Sequence, residues 1–473
     1  MVKKVLLVLL ETEDTTMFYP PYGIMYIADA LIKAGYDVEI FHEYVSEESL
    51  DELYAKAKDC LLVGFSTMTS PKLLEIQKAS KHVHDMGIPV AWGGVHASLI
   101  PKETLEDESV DFVIQNEGEL VLPELCNALA NGTSYEEIAG LCYKKDGKII
   151  INPTAGLIKD LDDYTPRWDL VPVEKYIHNG EIVIIESRGC PSRCTYCYNV
   201  EFNFRKWRYH STDYVVKMIK DLQAKHPIKR VQFWSDNFPV NKKRALEIVE
   251  KLDMPWGAEI RANYFDEDFI EKVKKTKGES LYIGAESGSD KVLKLLKKDC
   301  RVSHIENAVR LATNSGIKTI CSFMVGIPGE TEEDRNETLD FMHKLLNNYN
   351  VDIDGPKFLN PYPGTELYHV SKQQGWIPPK DVAGWSDYSR SNYNLPFMNK
   401  KDVKKYDIYR KSLSMISYVN RNKRSKSVLK KGMGMILHPL KIIEDYRIRN
   451  KNASFPLEVH AFQLLLKVRN ELR

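Results

Sequence analysis

The sequence predicts an α/β protein in three parts: an N-terminal doubly wound (Rossmann-like) parallel sheet, a second run of six βα units that forms either a (β/α)6 partial TIM barrel or a second open parallel sheet, and a helical C-terminal region. Three observations carry this. Short apolar runs alternate with helical patterns from the first residues to about 360. A stretch without periodicity, 146–180, interrupts that alternation once. Beyond 400 the apolar residues recur every three or four positions instead.

Size and composition bound the functional classes. A chain of 473 residues allows two to four domains, and 43% hydrophobic with 28% charged residues supports ordinary cores. Lys+Arg and Asp+Glu each number 66. That balance argues against a polyanion binder, and no nucleic acid partner is expected. No apolar run approaches the ~18–20 residues of a membrane span. Val5 to Leu10 is too short for a signal peptide and runs straight into Glu11 and Glu13, so it reads as a first strand. Eight cysteines in a chain without a secretory signal point away from a disulfide framework and toward metal or redox chemistry.

Residues 1–145 form the first domain, with strands expected at 4–10, 37–42, 61–66, 88–92 and 110–115. Helices are expected at 22–34, 47–58, 71–86 and 119–130. Ligands of such folds bind beyond the carboxyl ends of the strands. The residues there are Ser66, Thr67, Met68 and Thr69, then Gly93, Gly94 and His96, then Glu117, Gly118 and Glu119. Small and hydroxylated side chains suit a bulky ligand, although βα loops carry them without one. Residues 146–180 hold Pro153, Pro166 and Pro172 and read as a linker packed as an extended strap. The second domain, 181–399, has strands expected at 181–186, 230–235, 256–261, 281–285, 318–325 and 352–358. In the third part, 400–473, Val403, Tyr406, Tyr409, Leu413, Ile416 and Val419 mark one buried helix face. A second helix is expected over about 457–472, after Pro456.

The sharpest motif is Cys190-Pro-Ser-Arg-Cys194-Thr-Tyr-Cys197, directly after the strand at 182–186. Three thiolates on one loop suit three corners of an iron–sulfur cube and leave the fourth iron open to a substrate or cofactor. Zinc is the alternative, but it wants a fourth ligand, and the nearest histidine after the motif, His210, is thirteen residues on.

This motif, with Tyr196 before its last cysteine, resembles that of the radical S-adenosylmethionine (radical SAM) enzymes. The resemblance continues through Phe233-Trp-Ser-Asp236-Asn237-Phe238, Glu259-Ile-Arg261-Ala-Asn263, Gly284-Ala-Glu286-Ser287-Gly288, Gly326-Ile-Pro-Gly329-Glu330-Thr331 and Asn360-Pro-Tyr-Pro-Gly364-Thr365. The N-terminal half, through Pro20-Pro-Tyr-Gly23, Gly93-Gly94-Val-His96-Ala-Ser98 and Glu117-Gly118-Glu119, is similar to the cobalamin-binding subgroup. Residues 1–370 share the likeness.

The resemblance implies three cofactors: a [4Fe-4S] cluster, S-adenosylmethionine and cobalamin. Cys190, Cys194 and Cys197 would hold the cluster, and the Tyr196 backbone would contact adenine. Asp236 and Asn237 stand where the family usually binds the methionyl amino group, often through Gly-Gly-Glu. Arg261, Asn263, Glu286 and Ser287 fall among candidates for the carboxylate and ribose, and Gly326 for adenine packing. Their alternatives are a buried ion pair between strand ends and a plain turn. Ser66, Thr67, Met68, Gly93, Gly94, His96, Glu117 and Gly118 would line the cobalamin. Many cobalamin proteins carry Asp-x-His-x-x-Gly after the first strand, but Glu11 to Gly23 contains no histidine. The lower face of cobalt is therefore expected to lack a His ligand, and His96 to serve as a loop hydrogen-bonding residue. A fold without the cofactor is the alternative for this domain.

The implied reaction is methyl transfer to an unactivated carbon through a 5′-deoxyadenosyl radical and methylcobalamin, with a flavodoxin or ferredoxin as electron donor. The alternatives are a cyclisation or other rearrangement without methyl transfer and, from another class, a non-catalytic cobalamin or redox sensor. A methylthiotransferase needs a second cluster, which Cys60, Cys126 and Cys142 are not placed to supply.

Two features remain. Tyr196, Tyr198, Phe202, Phe204, Trp207 and Tyr209 crowd the stretch after the cysteines and are expected to pack the first barrel helix, the alternative being to shield a radical site or shape a substrate pocket. The zero net charge conceals a partition: residues 400–473 hold 19 Lys+Arg against 6 Asp+Glu, a net of +13, and the remainder −13. Basic residues such as Arg421, Lys423, Arg424, Lys430 and Lys431 stand beside apolar Met433, Met435, Ile436 and Leu437. That pairing suits peripheral contact with an anionic membrane or a phosphorylated or lipid-linked substrate, or docking on the chain's own acidic domains.

Overall fold

The computed structural model describes residues 3–471 apart from 14, 16, 390–396, 426 and 455. Contacts divide the chain into two units: 1–192, 196–229 and 361–392 in the first, 193–195, 230–360 and 393–473 in the second.

The first unit is built on a seven-stranded sheet of order β2-β1-β3-β4-β5-β6-β7. Its strands are β1 (Lys4–Glu11), β2 (Asp37–Tyr44), β3 (Leu62–Ser66), β4 (Val90–Gly93), β5 (Phe112–Ile114), β6 (Leu141–Lys145) and β7 (Lys148–Ile151). The first five are parallel, as the sequence predicts. β1 is apolar from Val5 to Leu10 because both its faces are covered: Leu6, Val8 and Leu10 enter one core, Val5 and Leu7 the other. β6 and β7 add an antiparallel hairpin beside β5. Asp146 and Gly147, both at positive φ, form its two-residue turn. The expected linker therefore begins inside the sheet, and only the part beyond Ile151 is a strap, with short 3-10 turns such as Leu161–Asp163 and Val173–Tyr176.

The segment 361–392 also belongs to this unit. Its helices, Glu366–Gln373 and Val382–Ser389, and the connection between them bring Tyr368, Trp376, Trp385 and Tyr388 into the core that holds Leu6, Phe65 and Trp92. The alternating pattern gives no hint of this, since the segment follows the last barrel strand directly. The unit also contains β8 (Glu181–Ile184) and a two-stranded antiparallel ribbon, β9 (Ser187–Arg188) with β10 (Arg208–Tyr209). None of the six aromatic residues between 196 and 209 is buried, and Phe204 and Tyr209 are exposed. Trp207 and Tyr209 meet in a tilted ring contact at 4.5 Å, and Tyr198 meets Phe202 of the short helix Asn199–Phe202 edge-on at 6.0 Å.

In the second unit β11 (Arg230–Phe233), β12 (Trp256–Ile260), β13 (Gly278–Glu286), β14 (Lys318–Val325) and β15 (Val351–Phe358) pair in parallel in chain order. With β8, all six predicted strands form. Period-two burial sets their faces: in β14 Thr319, Cys321, Phe323 and Val325 are buried and their neighbours less so.

The helix Lys400–Lys423 buries Tyr406, Tyr409, Leu413, Ile416 and Val419, as the periodicity requires. It is tied to acidic residues of its own unit through Lys405–Glu332 (2.7 Å) and Ser417–Asp352 (2.8 Å). Part of the basic tail thus docks intramolecularly. Two helices that the sequence did not announce follow, Val428–Ile436 and His438–Arg449, and then Leu457–Glu471. No helix among the described residues is long and apolar enough to cross a membrane.

Candidate cofactor sites

In the first unit the three singled-out loops end neighbouring strands β3, β4 and β5. Thr67 is buried and donates from Oγ1 to Gly93 O at 2.7 Å, while its carbonyl accepts from His96 N. Gly94 has φ 91°, and a Cβ there would lie 2.5 Å from Thr67 O, so only glycine fits. A Cβ on Gly118 would press on Ile27. These two glycines answer to the protein's own packing. Gly93 differs, because nothing lies nearer than 3.8 Å to its missing Cβ, and a flat ligand can approach it. Ser66 is half-buried and Met68 exposed beside it.

His96 is buried with Nδ1 2.8 Å from Thr69 Oγ1, and the Trp385 ring stands edge-on to it. Burial pushes its pKa down to about 4, so it is neutral, and it lies in the short helix Val95–Leu99 that follows the β4 turn rather than in a loop. Glu117 and Glu119 are also buried. Arg188 donates to Glu117 at 2.9 Å and to Glu119 at 2.7 Å, while Arg208 donates to both oxygens of Glu117 at 2.8 Å. Arg188 and Arg208 face each other across the β9–β10 ribbon. That ribbon closes the base of the chain segment carrying the three cysteines, and Gly189 (φ 83°) turns it into Cys190.

In the second unit the middle of the cysteine loop is clipped down. Thr195 N donates to Leu296 O at 3.1 Å, and Arg193 forms a bidentate pair with Asp299. Arg261, at the end of β12, donates from Nη1 to Cys194 Sγ at 3.0 Å and from Nη2 to Lys298 O. Its backbone N–H is accepted by Asn237 Oδ1 at 3.2 Å. Lys298 in turn donates to Glu286 at 2.7 Å. Glu286 sits at φ 68° after a bulge in β13, where Gly284 leaves the room it needs. Asp236 and Asn263 are exposed. Ser287 is fully buried, bonded through its hydroxyl to Thr338 at 2.9 Å, and so serves its loop. Gly326 (φ 84°) donates from N to Glu330 at 2.7 Å.

The sequence reading missed two groups. Glu259 lies two residues before Arg261 and shares its face of β12; burial first, then the charges of Asp236 and Glu286, push its pKa up to about 7. The period of two was the available signal. Glu11, at the end of β1, meets His42 of β2, with 3.3 Å between the His42 Nε2 and Glu11, and Lys72 and Thr15 also bond to it. The first-strand loop brings no histidine, but the neighbouring strand does, and Tyr176 occupies its other ring nitrogen at 3.0 Å.

The residues fit the groups that the motif implies. Cys190 and Cys194 are buried and all eight cysteines are free thiols. No three His, Cys, Asp or Glu side chains are already gathered around one metal position among the described residues. Three soft sulfur donors and an Arg261 hydrogen bond to one of them match an iron–sulfur ligand set. Asn237 Nδ2 and Thr195 Oγ1 are buried without a hydrogen-bond partner, and the acids Asp236, Glu259 and Glu286 lie within electrostatic reach of one another. A ligand with an ammonium and acceptor oxygens would satisfy both. Cys60 and Cys142 lie in one core of the first unit and Cys126 in the other; burial raises their thiols to about 11, 11 and 12. They cannot share a second cluster.

Comparison with known proteins agrees. The radical SAM superfamily model matches residues 184–342 and the B12 binding domain model residues 13–126. An uncharacterised methyltransferase of Pyrococcus horikoshii is 32% identical over 390 residues, covering 78% of this chain and 83% of that protein. An anaerobic magnesium-protoporphyrin IX monomethyl ester cyclase of Cereibacter sphaeroides is 25% identical over 407 residues, 81% and 64% respectively. The radical SAM methyltransferase TsrM of Kitasatospora setae, solved with tryptophan substrate and aza-SAM, has the same fold, with a TM-score of 0.67 at 19% identity over 80% of this chain and 77% of that one. A B12 domain ahead of a radical SAM barrel defines the class, and the chain belongs to the cobalamin-binding radical SAM enzymes. Its cofactors are a [4Fe-4S] cluster, S-adenosylmethionine and cobalamin.

Proposed function

We propose that the chain is a methyltransferase that places a methyl group on an unactivated carbon of a small-molecule or lipid-linked substrate. The observation that carries this is the likeness to the Pyrococcus methyltransferase, which extends over most of both chains. When bound, the cofactors supply a 5′-deoxyadenosyl radical and a transferable methyl group. The chain's part is to bind and orient. Cys190, Cys194 and Cys197 hold the cluster, with Arg261 fixing the Cys194 sulfur. Asp236, Glu259 and Glu286 accept from the methionyl ammonium, and Asn237 Nδ2 donates to a carboxylate or ribose oxygen. Gly93 would leave room for the corrin at the strand ends, and His96, neutral and bonded to Thr69, would line it without supplying a ligand. A reductant is required, and a flavodoxin or ferredoxin fits the need for single electrons. The setting is a reducing cytoplasm, with peripheral membrane contact through residues 400–473.

The test is anaerobic reconstitution with iron, sulfide and cobalamin, then incubation with methyl-deuterated S-adenosylmethionine, reductant and a metabolite extract. A carbon-methylated product carrying the label is expected. A dehydrogenated or cyclised product without label would favour the second reading, a cyclase, which the likeness to the Cereibacter enzyme supports.

A further inference from the structure

The helices that the sequence did not announce are built inside out. In His438–Arg449 the buried residues are Lys441, Glu444, Arg447 and Ile448. Glu444 is 0% exposed and paired with Arg447 at 3.1 Å, and Lys441 bonds to Asp445 at 2.6 Å and to Asn347 at 2.8 Å. Ile442, Ile443 and Tyr446, at helical spacing, face out at 58%, 46% and 63% exposure. The preceding helix, Val428–Ile436, turns the same way. Gly434 lets it approach the end of the long helix so closely that a Cβ would lie 2.5 Å from Lys423 N. That contact fixes its inner side and leaves Val428, Leu429, Met435 and Ile436 outside at 87%, 79%, 57% and 78%.

Half of the large apolar side chains exposed anywhere among the described residues fall between 428 and 464. An exposed patch of this kind marks an interaction site. Its rim chooses the partner. Lys430, Lys431 and Arg449 are exposed on the same helices, and Arg421 and Arg424, although exposed, reach Asp352 and Tyr349–Asn350; the only acidic residues between 421 and 457, Glu444 and Asp445, are paired and turned inward. Apolar side chains ringed by one sign of charge match a surface that is negative outside and hydrocarbon just beneath.

We infer that the outward face of helices Val428–Ile436 and His438–Arg449 docks on an anionic lipid bilayer, with Leu429 and Ile436 entering the acyl boundary and Lys430 and Lys431 meeting headgroups. This holds whether or not methyl transfer is the reaction.

The full-length reconstituted protein is to be sedimented with vesicles of equimolar phosphatidylglycerol and phosphatidylcholine, and with pure phosphatidylcholine. Binding to the first but not the second is expected, falling about tenfold or more in K430E/K431E or at high salt. L429E/I436E is expected to abolish binding. These four side chains are exposed, so circular dichroism and cobalamin content should match the wild type. Equal binding to both vesicles, no binding to either, or unchanged binding by both variants would overturn the inference. So would a vesicle-independent dimer that L429E/I436E disrupts, since the face would then join two copies of the chain.

Discussion

Arg261 donates a guanidinium N–H to the sulfur of Cys194 at 3.0 Å, and its own backbone N–H is held by Asn237. One side chain thus ties the cysteine loop to two strand ends of the second unit. Hydrogen bonds to ligand sulfur tune a cluster and orient its ligand. In Arg261→Ala, iron retained per chain after desalting should fall at least about twofold, with Arg261→Lys intermediate because it keeps the charge but loses the fork. Full iron in the alanine variant would reduce the contact to packing.

Among the described residues Arg188 is the cation paired with Glu119, whereas Glu117 keeps Arg208 and the Ile158 N–H. Arg188→Ala should leave the Glu119 carboxylate buried and uncompensated, at a cost of about 3 kcal/mol. Urea denaturation of the apo-protein checks this through its midpoint. Adding Glu119→Gln should restore most of the loss.

Burial alone would raise the Glu11 pKa, but bonds from His42, Lys72 and Thr15 outweigh it and hold the group at about 2. Its folded pKa lies below its unfolded one. Its stabilising contribution, about 3 kcal/mol, is therefore complete above about pH 4.5 and lost as pH falls toward 2. Unfolding free energy followed from pH 6 to pH 3 should fall, and the fall should be shallower in Glu11→Gln.

Glu259 carries the opposite sign. With its pKa raised to about 7, it is neutral below that pH and ionised above it. Affinity for S-adenosylmethionine, measured by equilibrium dialysis, should strengthen as pH rises through 7, and Glu259→Gln should flatten that rise.

Gly94→Ala should place a methyl against Thr67 O in a left-handed backbone position, deforming the β4 loop. Cobalamin retained after gel filtration should fall at least about fivefold while iron content is kept.

The strands were readable because burial imposes their period, and the cysteines because three thiols at that spacing have few other uses. The partners were not. Nothing near Arg261 in the sequence names Lys298, and nothing near Ser287 names Thr338, because those neighbours arise only when distant strand ends meet. The β6–β7 hairpin could have been found from Asp146-Gly147, a turn signal lying at the boundary drawn for the linker. Helices Val428–Ile436 and His438–Arg449 escaped for a different reason: their apolar residues face outward, so reading apolar periodicity as a core face misleads there.

The central claim is methyl transfer, and the products of S-adenosylmethionine test it most directly. Reconstituted enzyme with cobalamin and a low-potential reductant should release S-adenosylhomocysteine, about one per chain without added substrate and continuously, alongside 5′-deoxyadenosine, once substrate is present. Release of 5′-deoxyadenosine with no S-adenosylhomocysteine under either condition would contradict the account.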